Sequence, residues 1–216
     1  VSSSVKDAFD IKYDTKNSDI QYNPVDENEI IKKSRESKVQ RQSALQLVTL
    51  GRLVPQKGYD RLVKCIKKLK DEGYSNFNIW ILGEGEQKEL LEDYIKDNCL
   101  EDYVSLLGFK SNPYPYLAAS DAFICSSRSE GFSTVATEAL ILNKPIFTVE
   151  CAGMRELFGD FDCGRIVPNN DESLYELLEF VLNQNDFKKY ENALYERANY
   201  FKLNKRINEI RKICLN

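Results

Sequence analysis

From residue 45 onward, short apolar runs alternate with helix-like segments, and this alternation limits the fold more than any other feature. Segments such as SLYELLEFVL have apolar residues at i, i+3, i+4 and i+7, as amphipathic helices do. The runs between them are nearly continuous in Val, Ile, Leu and Phe, as strands covered on both faces are: ALQLVTL, FNIWILG, YVSLLGF, DAFICSS and KPIFTV. The pattern predicts an α/β fold with a doubly wound, Rossmann-like parallel sheet, whose ligands bind beyond the carboxyl ends of the strands.

Both ends of the chain lack this alternation. The segment up to about Arg41 is polar, with a short helix predicted over ENEIIKKSRES, and residues 1–20 are interpreted as a linker leading into the sheet. Beyond Asn183 the strands end, and residues 186–216 are predicted to form terminal helices. With 42% hydrophobic residues, a single domain over residues 1–216 is expected.

Composition excludes several classes of function. The 30 basic and 34 acidic residues give a formal net charge of -4 and are mixed along the chain, which disfavours nucleic acid as a partner. Six cysteines without a C-x-x-C pair indicate a reducing, cytoplasmic compartment. The absence of histidine removes the commonest general base and zinc ligand. No apolar run approaches the ~20 residues that span a bilayer, so a soluble protein is expected.

Charged and glycine residues follow the first three predicted strands. Arg52 and Lys57 in GRLVPQKG suit a diphosphate, although they are equally explained as surface cations of a solvated loop. Gly83 and Gly85 in GEGEQ allow close backbone approach to a ligand, or simply a strand-to-helix turn. After the third strand, GFKSN offers backbone groups and a ring edge to a flat base, unless the phenyl ring covers the core.

The fourth strand is followed by RSEGFSTVATE, with Glu130 and Glu138 on either side of a hydroxyl-rich turn. Ser133 or Thr134 is a natural N-cap, so the amides from Phe132 to Val135 are expected to be free for an anion. Helical side chains lean toward the N-terminus, so Glu138 is expected to reach the same pocket as Glu130. Carboxylates only accept hydrogen bonds, which favours sugar hydroxyls as their partners. The local alternative is a favourable interaction of both acids with the helix dipole.

Two further patterns are weaker. Asp160 and Asp162 form a D-x-D, which some sugar transferases use to hold a metal, but they lie in a predicted turn away from the strand exits. A solvated acidic turn is preferred, and no metal site is predicted. A basic stretch near the C-terminus either contacts acidic lipid headgroups or, as preferred, forms the solvated side of the terminal helices; it comprises Lys202, Lys205, Arg206, Arg211 and Lys212.

Taken together, GRLVPQKG, LGEGEQ, LLGF, SEGFSTVATEAL, NKPIFTVECAGMREL and GRIVP resemble, in this order, the C-terminal domain of family 4 retaining glycosyltransferases of the GT-B fold. The likeness covers residues from about 20 to about 185 and implies three catalytic residues: Glu130, Arg52 and Lys57. The two cations would hold the donor diphosphate and stabilise the leaving group. Glu130 would contact the transferred sugar, with the amides of Gly131, Phe132 and Ser133 nearby on sugar hydroxyls and phosphate.

The same resemblance implies that Glu138 binds the ribose hydroxyls and that the backbone around Phe109 and Lys110 meets the base. The full set of expected donor contacts is Arg52, Lys57, Gly83, Gly85, Phe109, Lys110, Glu130, Gly131, Phe132, Ser133, Thr134, Val135 and Glu138. The family motif usually continues E-G-F-G, whereas this chain has Ser133. We expect that change to narrow the space beside the helix and to affect sugar choice or amide geometry.

The implied substrate is a nucleotide diphosphate sugar, UDP ranking before GDP, with no metal and no other cofactor. The implied acceptor is a saccharide or lipid-linked saccharide of bacterial surface polysaccharide synthesis, which places the enzyme at the cytoplasmic face of the membrane. GT-B enzymes carry an N-terminal acceptor domain that these residues do not contain. We therefore expect a longer protein, and expect this domain alone to bind the donor weakly and to transfer nothing.

Two alternatives stay open. One is a nucleotide-sugar-binding module that never catalyses, which would not need Glu130; the other is a GT-B sugar-nucleotide epimerase. The presence of Glu130 favours an enzyme over the module, and the E-x7-E pair favours a transferase over the epimerase.

Overall fold

The computed structural model describes residues 2–15, 18, 20–184 and 186–215, without the side chains of Ser4 and of residues 212–215. Its centre is a six-stranded sheet of order β3-β2-β1-β4-β5-β6, in which every neighbouring pair is parallel. The strands are β1 Leu45–Leu50, β2 Phe77–Leu82, β3 Val104–Gly108, β4 Ala122–Cys125, β5 Ile146–Val149 and β6 Gly164–Val167. The predicted α/β fold with a doubly wound parallel sheet is confirmed.

Helices precede, connect and follow the strands, and their bounds are α1 Ser3–Tyr13, α2 Glu27–Ser34, α3 Tyr59–Asp71, α4 Lys88–Asp97, α5 Tyr114–Ala119, α6 Thr134–Ile141, α7 Met154–Phe158, α8 Asp171–Leu182, α9 Glu191–Ala198 and α10 Leu203–Leu215. Short 3-10 turns cover Pro55–Lys57, Lys188–Tyr190 and Asn199–Phe201. The predicted short helix before the sheet is α2, and the predicted C-terminal helices are α9 and α10. Within the described ranges, none of these helices combines the length and apolar character needed to span a bilayer.

The order in which strands are added to the sheet reverses after β3, although all neighbouring strands are parallel. The chain runs outward from β1 through β2 to β3, then returns so that β4 lies on the other side of β1. β1 pairs with β2 along its whole length from Leu45 to Leu50, but with β4 through Leu47–Ala122 and Val48–Phe123. The backbones therefore separate toward the carboxyl ends of β1 and β4, which opens a crevice at the topological switch point.

The central strands are buried on both faces. Trp80 of β2 and Phe147 of β5 are both almost fully covered, and every residue of β2, β4 and β5 is buried. The indole N–H of Trp80 has a hydrogen-bond partner in the segment before β1: it donates to Oε1 of Gln42 at 2.7 Å. Burial on both faces explains why these strands read as continuous apolar runs.

Two elements were not predicted as such. β6 is an edge strand of four residues, Gly-Arg-Ile-Val, with partly exposed side chains, so it lacks the apolar run that marks the other strands in the sequence. α1 lies within the segment interpreted as a linker; Ser2 caps it, and Ser3 N donates to Oε1 of Glu156 at 2.8 Å. This contact joins α1 to α7, across 153 residues of chain.

Candidate functional site

Two loops meet at the crevice between β1 and β4: the β1 loop, residues 51–58, and the β4 loop, residues 126–133. The amide of Arg128 donates to the carbonyl of Gln56 at 2.7 Å, and the side chain of Gln56 donates to the carbonyl of Ser129 at 2.9 Å. Ser126 Oγ donates to the carbonyl of Lys57 at 3.0 Å. Hydrogen bonds thus replace the strand pairing that β1 and β4 lack beyond Val48 and Phe123.

An ion pair joins the same two loops. Lys57 Nζ lies 2.7 Å from Oε1 of Glu130, and the side chains are only 21% and 10% exposed. Ser127 Oγ also donates to this carboxylate oxygen. Partial burial makes such a pair stronger than a fully solvated one. The structure therefore brings together two predicted site residues that are 73 positions apart in the sequence.

A cleft of about 560 Å³ opens on the other side of the β1 loop, beyond the ends of β1, β2 and β3. It contains Arg52, Gly83, Phe109 and Lys110 from the predicted set, beside apolar surface from Leu50, Leu82 and Pro113. The Phe109 ring is 72% exposed, so the alternative that it covers the core is wrong. Arg52 is exposed and has no ion-pair partner among the residues described. Glu84 also lines the cleft, and its carboxylate lies 3.2 Å from Lys88 Nζ. A largely apolar cleft with Arg52 and Lys110 at its rim suits a flat ring joined to an anion.

Gly83 and Gly85 serve the packing of the loops. A Cβ on Gly83 would lie 1.9 Å from the carbonyl oxygen of Gly51, and a Cβ on Gly85 would lie 2.4 Å from that of Leu53. These contacts explain both glycines without a ligand, as the turn interpretation proposed. Gly83 still borders the cleft, whereas Gly85 is not among the residues that line it.

The β4 loop ends at the N-terminus of α6, where Ser133 is the N-cap and Thr134 the first helical residue. Ser133 Oγ accepts from the amide of Ala136 at 3.2 Å. No acceptor within the described part of the chain faces the amides of 132–135, as predicted. A Cβ on Gly131 would meet only Val5 Cγ2, at 3.9 Å, so the space around this residue is open. An anion or hydroxyl can therefore approach this helix end.

The side chain of Phe132 faces away from that space. Its ring lies 4.6 Å from the ring of Tyr22 and 5.8 Å from that of Phe201, measured between centroids. Only the backbone of Phe132 is available to a ligand, which agrees with the part predicted for it.

Glu138 projects from α6 toward α5 and lines a second cleft, of about 240 Å³, together with Pro24, Thr134 and Tyr114. Tyr114 Oη donates to Oε1 of Glu138 at 3.1 Å. Burial raises the pKa of the Glu138 carboxyl, and the hydrogen bond from Tyr114 opposes this rise. Burial and the nearby carboxylate raise the pKa of Tyr114 to about 12. Glu130 faces the β1 loop and Glu138 faces α5, so their common pocket stays a prediction.

Sequence reasoning missed two residues that hold the β4 loop. The guanidinium of Arg61, in α3, donates to the carbonyls of Ser126 and Ser127, and the amide of Asn169, after β6, donates to the carbonyls of Ser127 and Arg128. The sequence held one signal for Arg61: it lies one turn before Cys65, on the face of α3 that is buried.

The interpretation of the C-terminal basic stretch is wrong for Arg206. Arg206 is 1% exposed, with its guanidinium 4.2 Å from the ring centroid of Tyr200 and in an ion pair with Glu209 at 2.7 Å. Aromatic faces and a carboxylate compensate the buried charge, so Arg206 contacts neither solvent nor a membrane. Asp160 and Asp162 are both exposed, and across the described residues no three acidic, Cys or His side chains are grouped to hold a metal.

Fold and site together define a Rossmann-like α/β domain whose candidate ligand crevice lies at the switch point between β1 and β4. Residues 30–200 match the family described as Glycosyl transferases group 1. The chain belongs to this family of glycosyltransferases.

Two named relatives are glycosyltransferases of bacteria. An N-acetylgalactosamine-N,N'-diacetylbacillosaminyl-diphospho-undecaprenol 4-alpha-N-acetylgalactosaminyltransferase of Campylobacter jejuni is 34% identical over 189 residues, which cover 86% of this chain and 50% of the relative. A lipopolysaccharide core biosynthesis glycosyltransferase of Rhizobium meliloti is 31% identical over 110 residues, 51% of this chain and 31% of the relative. This chain therefore spans half or less of the length of these relatives.

Solved glycosyltransferases share the fold. HepE of Anabaena, crystallised with UDP and glucose, superposes with a TM-score of 0.81 at 20% identity, over 100% of this chain and 61% of HepE. A TarM mutant of S. aureus, crystallised with fondaparinux, alpha-GlcNAc-glycerol and UDP, gives a TM-score of 0.81 at 17% identity, over 99% of this chain and 42% of TarM. At these identities the likeness establishes the GT-B-type Rossmann-like fold.

Proposed function

We propose that this chain is the donor-binding domain of a retaining glycosyltransferase that transfers a sugar from a UDP-sugar to a saccharide or lipid-linked acceptor. The observation that carries the proposal is the Lys57–Glu130 pair, 2.7 Å apart, beside the unpaired amides that begin α6. A cation suits a diphosphate, and a carboxylate suits sugar hydroxyls. Both groups stand where ligands bind in parallel sheets of this type.

In this proposal the bond between the anomeric carbon and the diphosphate oxygen breaks, and negative charge collects on the departing nucleotide. The oxygen of an acceptor hydroxyl forms the new bond to the anomeric carbon from the same face, and its proton passes to the departing diphosphate. Arg52 and Lys57 stabilise that charge, as do the amides of Gly131, Phe132 and Ser133. Glu130 holds the hydroxyls of the transferred sugar. Because side-chain cations compensate the charge in this scheme, we expect donor binding to persist in EDTA.

The nucleoside would occupy the 560 Å³ cleft that contains Arg52, with the base against the backbone of Phe109 and Lys110. Glu138 lines the separate 240 Å³ cleft, so the ribose would extend from the larger cleft past Pro113 and Tyr114, and its two hydroxyls would then donate to Glu138. A partly buried carboxylate that has one hydroxyl donor, from Tyr114, has remaining acceptor sites for such a diol.

The proposed acceptor follows from the relatives. The Campylobacter relative is named for an undecaprenol-linked substrate, and the Rhizobium relative for lipopolysaccharide core synthesis. We therefore place the reaction in bacterial surface polysaccharide synthesis, at the cytoplasmic face of the membrane. We also place the acceptor site in a second domain, since the relatives are at least twice as long as their matched part.

Calorimetric titration with UDP, GDP, ADP and their sugars tests the donor site. Arg52→Ala and Glu138→Ala should each weaken UDP binding by about tenfold, the factor that 1.4 kcal/mol produces. Arg211→Ala on α10 and Glu176→Ala on α8 are matched controls, because both residues are exposed outside the crevice. If no nucleotide binds at millimolar concentration, or if the controls weaken binding equally, the donor site is misplaced.

A non-catalytic nucleotide-sugar-binding module is the second candidate, and one observation favours it. Glu130 joins the two loops through Lys57, so its presence has a structural explanation that does not require a transferred sugar. Glu130→Gln separates the two candidates. If the chain is a transferase domain, it should bind UDP-N-acetylgalactosamine more tightly than UDP, and Glu130→Gln should remove this difference in affinity. A difference in affinity that Glu130→Gln leaves unchanged would support the binding module.

A further inference from the structure

Arg61 is a buried cation directed at the backbone of the β4 loop. The residue is 4% exposed, and its Nε and Nη2 donate to the carbonyl oxygen of Ser126 at 2.8 and 2.6 Å. Nη2 also donates to the carbonyl of Ser127 at 2.9 Å, and Nη1 lies 3.6 Å from the exposed carboxylate of Asp171. A buried guanidinium is costly unless its donors are satisfied, so these carbonyls are held firmly.

Asn169 completes the same arrangement from the end of β6. Its Oδ1 accepts from Arg61 Nη2 at 2.8 Å, and its Nδ2 donates to the carbonyls of Arg128 and Glu150 at 3.0 and 2.9 Å. The side-chain amide of Asn169, which follows β6, therefore links α3 to the residues that follow β4 and β5.

Ser127 links this arrangement to the site. Its carbonyl accepts from Arg61 and, at 3.2 Å, from Asn169, while its hydroxyl donates to Glu130. The shortest hydrogen-bonded path from Arg61 and Asn169 to the Glu130 carboxylate thus passes through one residue, Ser127. Neither Arg61 nor Asn169 lines the nucleoside cleft beside Arg52.

We propose that Arg61 and Asn169 are positioning residues that fix the β4 loop so that Glu130 meets the transferred sugar. The inference rests on the proposed function and deepens it: the two residues serve the sugar end of the donor and not the nucleotide end. Loss of either should loosen the loop and selectively reduce the affinity contributed by the sugar, since a displacement of about 1 Å is enough to impair a built site.

Asn169→Ala is the informative variant, because Asn169 is exposed and its removal leaves the core intact. Asn170→Ala is the matched control. The Asn170 side chain caps α8, accepting from the amide of Ser173 at 2.8 Å, and no hydrogen bond joins it to the β4 loop in the described part of the chain. The control should lower stability by about 1 kcal/mol, as the loss of an N-cap does, without affecting the sugar.

Hydrogen exchange and calorimetry on these two variants test the positioning role of Asn169. In Asn169→Ala we expect the Arg128 amide, which donates to the carbonyl of Gln56, to exchange about tenfold faster, with the β1 and β2 amides unchanged. Affinity for UDP-N-acetylgalactosamine should fall about tenfold, while affinity for UDP stays within about twofold. Asn170→Ala should show neither effect.

Equal exchange in the two variants, or equal weakening of both ligands, would overturn the positioning role. If the unaltered chain binds neither ligand, the proposed function fails, and with it the role toward a sugar. The exchange of the Arg128 amide still decides independently whether Asn169 holds the loop.

Discussion

Glu138 lies on α6 where burial raises the pKa of its carboxyl and the hydroxyl of Tyr114 opposes that rise. An ionised group with a raised pKa makes the folded state less stable above that pKa than a neutral group would. Residues kept for a ligand commonly lower stability in this way. At the scale of the residue, the ligand role proposed above would account for an acid at this partly buried position.

Replacing Glu138 with Gln should stabilise the chain at pH 7. The ordinary pKa of Glu is 4.5, so below this value the carboxyl is neutral in both folded and unfolded chains, and the advantage of Gln should vanish. We expect a melting temperature higher by about 2–4 °C at pH 7, the shift that about 1 kcal/mol gives in a chain of this size, and no difference at pH 4. Thermal unfolding at both pH values measures this.

Glu176→Gln is the control for this substitution, because Glu176 is exposed on α8. It should change the melting temperature by less than about 1 °C at either pH. A stabilisation by Glu138→Gln that persists at pH 4 would contradict the assigned pKa direction.

At the scale of the elements, the β1 loop and β4 loop depend on close backbone approach at one glycine. Gly58 has a φ of 67°, and a Cβ there would lie 2.2 Å from the carbonyl oxygen of Ser126. Any side chain at this position forces the loops apart. Because Lys57 precedes Gly58, the ion pair with Glu130 would separate as well.

Gly58→Ala should therefore cost about 2–4 kcal/mol in the free energy of unfolding, from backbone strain and a clash together. Gly73→Ala isolates the strain, since Gly73 has a φ of 93° and nothing lies within 4 Å of its added Cβ. That control should cost about 1 kcal/mol. Urea unfolding compares the two, and equal losses would show that the approach to Ser126 is unimportant.

The sequence predicted the five strands that appear as apolar runs. β2, β4 and β5 are fully buried and β1 nearly so, and β3 is apolar although it lies at an edge and is partly exposed. β6, at the other edge, has only four residues of mixed character, Gly-Arg-Ile-Val. Because parallel strands end at a common edge, inspection of the strand exits directed attention to the loops that carry Arg52, Lys57 and Glu130, whereas a pocket shared with Glu138 stays a prediction. The pairing of Lys57 with Glu130 was not predictable, since it depends on side-chain directions across 73 residues. Arg61 and Arg206 were missed because charged residues are rarely buried.

At the scale of the whole molecule, an aromatic cluster joins distant parts of the chain behind the β4 loop. Phe201, which is fully buried, lies 6.1 Å from Tyr22 and 5.8 Å from Phe132, measured between ring centroids. Tyr22 Oη donates to Oε2 of Glu156 at 2.7 Å, and Arg206 contacts the Tyr22 ring at 5.8 Å. The segment before α2 and the segment after α9 thus meet behind the candidate site.

Phe201→Ala should lower the free energy of unfolding by about 3–5 kcal/mol, the usual loss for a buried phenyl group. Tyr195→Ala is the control, because Tyr195 is 67% exposed, and it should stay within about 0.5 kcal/mol of the unaltered chain. Chemical unfolding measures both. If the two variants lose the same stability, the cluster contributes nothing beyond ordinary surface packing.

The short pairing of β1 with β4, through Leu47–Ala122 and Val48–Phe123, makes the centre of the sheet a seam between two halves built from consecutive stretches of chain. Past this seam, the two halves are joined by hydrogen bonds between the β1 loop and the β4 loop and by ion pairs, among them Lys57–Glu130 and Arg128–Asp60. A molecule that contacts both loops would add interactions between the two halves of the sheet and stabilise their packing. Recognition at this edge and the joining of the two halves would then be a single physical event.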